Sequence, residues 1–556
     1  MFNHQTKTVT FAALLLAVSG FLSRVLGLLR DRLLASHFGA GRELDIYFAA
    51  FRIPDFIYGI LILGGITVAF LPVFSEYFRR KEENQENAGW PREALDFVNN
   101  VLNLFFVFLI IVCGILVVFA PLVVNFIIPG FSLESKGLTI ALTRIMLLSP
   151  IFFGLSSIFS GILQYFNRFL VYSLAPILYN IGIIFGILFL VPRFGVYGLA
   201  FGVISGAFLH WAIQIPAALA SGYRYKLFLD FQHFGIRKIF KLMVPRTIGV
   251  AINQINLVVV TALASVLAAG SIAIFNFSNN IQYFPIGIIG VSFAVSSFPV
   301  FSRFIANGQR KEFLEHLSSS ARQVIFFIFP ISLLFFILRA QIIRLILGAG
   351  RFSWEDTRLT AACLGIFCLG ILTESLIALL CRAFFSLQDT KTPVLVGMVS
   401  VLSNIVLCLL FIFLLGHPNF FQQAAVGVLK LQNIQNVEVI GLPLGLSLAS
   451  IIQFSLLLFF FRKKIGGFEI KDIIRSLKKV LIAGFLMAVS CYAVRVASAG
   501  FIDMQTFWGV FFQAACAALV GILVYLFSAD FLRSPELHTV KTSLLRQFKK
   551  EGLQSK

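Results

Sequence analysis

Apolar residues along this chain come in runs long enough to cross about 30 Å of hydrocarbon. Such runs recur about fourteen times, at residues 9–37, 45–77, 98–128, 138–165, 170–192, 196–221, 239–268, 272–302, 321–338, 358–387, 393–416, 440–461, 476–498 and 504–530. The pattern predicts an all-α polytopic membrane protein with about 14 transmembrane helices. The ninth run is the weakest and extends toward Leu347. The first apolar stretch, from Thr8 to Phe21, lacks a small-residue cleavage site, so it reads as the first half of an uncleaved helix.

Composition agrees. Of 556 residues, 59% are hydrophobic and only 13% charged, about half the charged share of a soluble domain. That excludes a disordered chain, a secreted disulfide scaffold and an ordinary cytosolic enzyme. The seven cysteines fall in apolar stretches without a CxxC pair. They read as buried free thiols with no disulfide or metal role.

The net charge of +20 raises the question of a nucleic-acid partner. The distribution of cations answers it. Thirty of the 45 Lys and Arg lie at the N-terminus, in loops after even-numbered runs or at the run ends adjoining them, and in the tail; eight lie on the other side and seven deeper within runs. The positive-inside rule then places both termini in the cytoplasm, as an even number of spans requires. No nucleic-acid partner is expected. Residues 531–556 form a basic cytoplasmic tail that suits a surface of anionic lipid.

The chain also repeats itself. Leu34-Ala-Ser-His-Phe-Gly-Ala-Gly41 resembles Leu263-Ala-Ser-Val-Leu-Ala-Ala-Gly270. Pro72-Val-Phe-Ser75 recurs as Pro299-Val-Phe-Ser302. Phe131 to Ala141 aligns without gaps to Phe352 to Ala362. Three matches in one order at nearly one offset indicate a duplicated unit of six helices. Six is even, so both copies enter the membrane in the same direction. The expected organisation is two parallel six-helix lobes around a central cavity, residues 1–222 and 223–470, followed by two further helices in 471–530. Transporters are often built this way, with the substrate site between repeats.

The cations deeper within the runs than their ends are Arg24, Arg30, Arg32, Arg52, Arg144, Arg246 and Arg495. Burying one costs at least ~2.5 kcal/mol, so each must face water, pair with an acid or snorkel. Arg24 and Asp31 lie close on one helical face, and Asp45, Arg52 and Asp55 share another at i, i+7 and i+10. Two readings are open for these groups: interhelical salt bridges, or a polar cavity for an anionic ligand, for which arginine's planar fork is suited. Arg246, next to Pro245, is either an interfacial anchor or part of that cavity. In the second repeat Asn253 takes the place of Arg24, and amides such as Asn279 and Asn280 stand nearby. Glu374 is a lone acid in the tenth run, a salt-bridge partner or a coupling-ion site. No catalytic set appears, and the acids Glu134, Glu355 and Asp356 fall in a repeated element that reads as a structural turn.

Several strings resemble the MurJ/MviN family: Ser23-Arg-Val-Leu-Gly27, Arg30-Asp31, Phe38-Gly-Ala-Gly41 with Asp45 following, Ala69-Phe-Leu-Pro-Val73, Asn167-Arg-Phe169 with Ala175-Pro176 and Asn180, and Gln388-Asp-Thr-Lys-Thr-Pro393. The resemblance runs from about residue 10 to 530. It implies a fold of the multidrug/oligosaccharidyl-lipid/polysaccharide exporter superfamily, in the bacterial inner membrane. It also implies a transporter rather than an enzyme, one that flips lipid II, the undecaprenyl-diphosphate-linked peptidoglycan precursor, by alternating access. Membrane potential or a cation gradient would drive it without a bound cofactor, and cell-wall synthesis machinery would be its partner. Alternatives are a flippase for another polyprenyl-diphosphate oligosaccharide, a drug or cation antiporter, a membrane glycosyltransferase, or a scaffold. The resemblance implies a substrate-binding role for Arg24, Arg30, Asp31, Asp45 and Arg52. Two family arginine positions fall here on Tyr58-Gly59 and Asn280, and Arg246 is the expected compensation. Glu374 is the coupling-ion candidate, and no metal ligands are expected.

Overall fold

A computed structural model describes residues 9–83, 90–466, 471–539 and 541–542. Fourteen long helices carry the fold: α1 (Val9–Phe38), α2 (Arg42–Arg79), α3 (Arg92–Ile127), α4 (Leu133–Tyr165), α5 (Phe169–Phe194), α6 (Tyr197–Ala220), α7 (Phe234–Ser265), α8 (Ser271–Ala306), α9 (Arg310–Ile337), α10 (Trp354–Ser386), α11 (Lys391–Leu415), α12 (Val437–Ile465), α13 (Lys471–Ser498) and α14 (Phe507–Phe531). Twelve are long and apolar enough to cross a membrane. A thirteenth span is α7, which bends by 53° between Val244 and Gly249. The expected fourteen therefore becomes twelve or thirteen among the described residues. The remaining long helix, α1, carries Arg24, Arg30, Asp31 and Arg32 in its second half. The ninth run does not continue toward Leu347 as one helix: α9 stops at Ile337 and a separate short helix covers Arg339–Ile346.

Lipid-facing stripes are apolar and exposed, as on α3, where Val118, Leu122 and Phe126 point outward at i, i+4 and i+8. One of the expected buried thiols, Cys516, belongs to such a stripe on α14. A thiol is apolar enough to face lipid without a partner. The tail beyond Thr542 lies outside the described residues.

Contacts divide the chain into two compact units, 1–273 with Gly350–Phe352, and 274–349 with 353–556. The duplication sets its boundary at 222/223, so α7 packs with the first unit although it opens the second repeat. The cause is a glycine seam. Residues Tyr58–Ile66 of α2 form a π-helical stretch, and α7 lies on it. A Cβ at Gly59, Gly64 or Gly65 would meet Gln254, Val250 or Met243 of α7. In the same unit α5 and α6 approach through Gly182 and Gly186 against Gly202 and Gly206, where an added Cβ would strike backbone. Small residues four apart let membrane helices pack backbone to backbone. In the second unit α13 and α14 are not loose additions. Gly484 sits against Phe329 of α9, and the Tyr525 hydroxyl of α14 donates to the Phe326 carbonyl at 2.8 Å.

The duplication is visible in local geometry. Ser132 and Ser353, 221 residues apart, are both helix N-caps; Ser353 and Asp356 form a full capping box. The repeated element is thus a capped helix start, in which Asp356 takes part; Glu134 and Glu355 make no side-chain hydrogen bond among the described residues. Asn167 and Gln388, at the same offset, both take positive φ (56° and 57°) at the bend after a span. The π-helical stretch of α2 has a counterpart at Ile286–Gly290 of α8.

Candidate functional site

The charged cluster of the first unit is built from α1, α2, α5 and α7. Arg30 on α1 donates to Asp31 Oδ1 from Nε (3.0 Å) and Nη2 (2.8 Å), and to Asn180 Oδ1 from Nη1 (3.3 Å). Helix spacing puts Arg24 and Asp31 on one face; the structure adds the neighbouring Arg30, whose long side chain folds back onto the carboxylate. Asn180 is itself held. Its Nδ2 donates to the Ser23 carbonyl and hydroxyl on α1 and to the Pro176 carbonyl one turn back on α5. A partner that is clamped on three sides fixes the guanidinium it receives.

Three of Arg30's five N–H groups are engaged in these bonds, so two remain to donate to a ligand. The Arg30 side chain keeps 22% exposure while Asp31 keeps 4%. The guanidinium is therefore presented and the acid behind it is not. Tyr47 and Tyr179 lie within electrostatic reach of Arg30. Asp55, half-buried on α2, lies within reach of both Arg30 and Arg52.

Arg52 is buried and donates from Nε to the Thr261 hydroxyl of α7 at 2.8 Å; the Thr261 hydroxyl in turn donates a hydrogen bond to the Leu257 carbonyl. A cation here, inside an apolar helix pair, meets a polarised hydroxyl rather than lipid. Arg24 is half-buried on α1.

Asp45 has a different setting. It is 1% exposed, and its two oxygens accept from the backbone N–H groups of Gly270 (2.7 Å) and Ala273 (2.9 Å). Those donors belong to the first turn leading into α8. The carboxylate caps a helix N-terminus, where negative charge is stabilised, and both its oxygens are occupied.

The other expected site residues are dispersed. The Arg246 side chain lies outside the described residues. Asn280 and Glu374 belong to the second unit, Asn280 exposed on α8 and Glu374 half-buried on α10. Glu374 makes no hydrogen bond or ion pair with the described residues. Two further in-span cations bond backbone carbonyls, Arg144 to Val117 and Arg495 to Ile337. Among the described residues no group of three or more His, Cys, Asp and Glu could hold a metal ion.

Residue reading alone missed Tyr47, Tyr179 and Thr261, and treated Asn180 only as part of a string. Asn180 carried one signal, an amide four residues after a proline in an otherwise apolar helix. The others had none, because their role depends on which helices meet.

Known proteins share this fold. The structure superposes on a solved structure described as "Lipid II flippase MurJ, inward closed conformation" with a TM-score of 0.71, 29% identity and coverage of 94% of this chain and 99% of that one. A multidrug resistance MATE family transporter in an inward-facing conformation shares the fold alone, at TM-score 0.59 and 13% identity over 80% of this chain and 94% of that one. Among relatives, the probable lipid II flippase MurJ of Buchnera aphidicola is 28% identical over 92% of this chain and 94% of its own length. The lipid II flippase MurJ of Burkholderia cenocepacia is 29% identical over 74% and 80%. Residues 34–512 match the family model described as "Lipid II flippase MurJ", and the chain belongs to that family.

Proposed function

We propose that this protein carries lipid II, a polyprenyl-diphosphate glycolipid, from the cytoplasmic to the outer leaflet of the bacterial inner membrane, with both termini in the cytoplasm. The observation that carries this reading is Arg30: a guanidinium oriented by Asp31 and Asn180 within a membrane-spanning unit, with two N–H groups uncommitted. A diphosphate supplies the acceptor oxygens such a fork requires. Arg24 and Arg52 add positive charge on the same two helices, and Asp31 and Asp55 keep the cluster from being a bare field of cations.

The acids also give a route to release. Arg30 already has a carboxylate partner, so the diphosphate gains only what the pair leaves uncommitted. Binding is then weak enough to reverse on the far side. A ligand moves the protein between states only by binding them unequally. The protonation or cation occupancy of Glu374, a carboxylate without a partner among the described residues, is our candidate for the energetic input. Asn280 and Arg246 are assigned supporting contacts to the headgroup, in place of the family arginines that this chain lacks.

The test is the leaflet distribution of lipid II in cells that depend on this chain. Arg24→Ala and Arg30→Ala variants, expressed to wild-type level, should leave lipid II inaccessible from outside. Normal outer-leaflet accessibility in both variants would remove the proposed role.

A further inference from the structure

Between α6 and α7 the chain runs for about a dozen residues without helix, from Ser221 to His233. Side chains of α3 hold it. Asn99 donates to the Arg224 carbonyl and accepts from the Lys226 N–H. Asn103 donates to the carbonyls of Lys226 and Phe228. Asn100 donates to the Asp230 carbonyl and accepts from the Asp230 N–H. Three amides on one helix thus pair with the backbone of residues 224, 226, 228 and 230, as a neighbouring strand would. Trp90 Nε1 fixes the start by donating to the Ser221 carbonyl, and Lys238 binds Glu76 beyond its end.

Of the intervening residues, Tyr225 reaches back to the ladder, its hydroxyl donating to Asn103 Oδ1 at 3.0 Å, while Leu227, Leu229 and Phe231 have no polar group to do so. Tyr225, Leu227, Leu229 and Phe231 are all exposed, Leu227 at 74% and Phe231 at 75%, and Phe234 continues the stripe. Their backbone groups have no partner among the described residues. Residues 223–241 carry five cations against the single acid Asp230.

We propose that this segment is an interfacial anchor that binds anionic phospholipid of the surrounding bilayer. Two facts fix its depth. Four large apolar side chains on one stripe need hydrocarbon or the acyl boundary. One unpaired backbone edge needs water or headgroup oxygens, which the hydrocarbon core does not offer. Only the headgroup layer supplies both. The cations select the lipid: Arg224, Arg237 and Lys241 are exposed along the same stretch and attract a negative surface. The asparagine ladder lets an unpaired strand lie there, because it satisfies the edge turned toward the protein. This inference rests on the chain spanning a membrane and not on lipid II as cargo.

The experiment uses the full chain in vesicles of phosphatidylcholine, with and without phosphatidylglycerol. Phe231→Cys, in a Cys516→Ser background, carries a fluorophore. Quenchers are placed near the lipid headgroup, near the acyl-chain end, and in water as iodide. The headgroup-level quencher should act most strongly, and phosphatidylglycerol should strengthen it. The triple variant Arg224→Gln, Arg237→Gln, Lys241→Gln should lose the phosphatidylglycerol effect and keep its thermal stability. Quenching by iodide alone would overturn the proposal, and so would stronger quenching from the acyl-chain end. Shielding from every quencher would mean that protein covers the stripe. A phosphatidylglycerol effect unchanged in the triple variant would refute the role of the cations.

Discussion

Asp45 separates two accounts of a membrane-buried acid. The family resemblance implies a place in substrate binding; the geometry makes it a cap. Replacing Asp45 with Ala leaves the N–H groups of Gly270 and Ala273 without acceptors, at a site that is 1% exposed. Each buried donor without a partner costs about 1–3 kcal/mol. Loss of a charge at the helix N-terminus adds up to ~1 kcal/mol. Together the change should destabilise the first unit by about 2–7 kcal/mol. That corresponds to a fall in unfolding temperature of at least about 4 °C. The same joint includes Gly270 (φ +93°), where a Cβ would meet the Ala40 carbonyl oxygen, so little room exists for a compensating shift. The assay is a thermal melt in detergent, paired with equilibrium binding of lipid II to the protein that remains folded. The cap predicts a large drop in melting temperature and unchanged affinity of the folded fraction. Wild-type melting with lost affinity would refute the reasoning and return Asp45 to the ligand.

Gly59→Val should destabilise the seam between α2 and α7, since a Cβ there meets the Gln254 amide; combining it with Gln254→Ala should restore part of the loss, a non-additivity read by a double-mutant melt. At the bend before α11, burial opposes ionisation of Asp389, but hydrogen bonds from Lys464 (2.6 Å) and Thr392 outweigh it and hold its carboxyl below the usual carboxylate range. A depressed pKa contributes stability above the unfolded value of about 4 and loses it as pH falls through the folded value. The difference in melting temperature between wild type and Asp389→Asn should therefore be full at neutral pH and shrink as the medium is acidified below about pH 4. Glu374→Gln should abolish the dependence of lipid II transport on a proton or cation gradient while leaving lipid II binding intact, measured in vesicles with the gradient imposed or collapsed.

Much of the fold was legible because lipid imposes a simple rule: an apolar run of sufficient length must be a helix. Span positions, the repeat and the turn character of the 131–141 and 352–362 elements followed from residues alone. The partition of α7 did not. It depends on Gly59, Gly64 and Gly65 meeting one face of α7, and a glycine in an apolar run does not name its partner. The site was half legible. Arginines in a membrane announce themselves, and Arg30, Asp31 and Arg52 do gather with polar partners. Their geometry was not readable from spacing. Periodicity places Arg24 and Asp31 on one face and says nothing of Arg30, whose long flexible side chain reaches its immediate neighbour. Asp45 looked like its charged companions in sequence, and only the fold reveals backbone N–H groups facing it. The Asn99, Asn100 and Asn103 ladder had no periodic signal as a clamp, since its partner is backbone.

The central claim is that Arg30 receives the diphosphate. Its most direct measurement is binding of lipid II, of undecaprenyl diphosphate and of the uncharged polyprenol to purified protein, wild type and Arg30→Ala, with Arg30→Lys as a charge-preserving control. The account predicts that wild type binds both diphosphates far more tightly than the alcohol. Arg30→Ala should lose that preference, and Arg30→Lys should recover only part of it, because Lys lacks the fork. Equal diphosphate preference in wild type and Arg30→Ala would contradict the account.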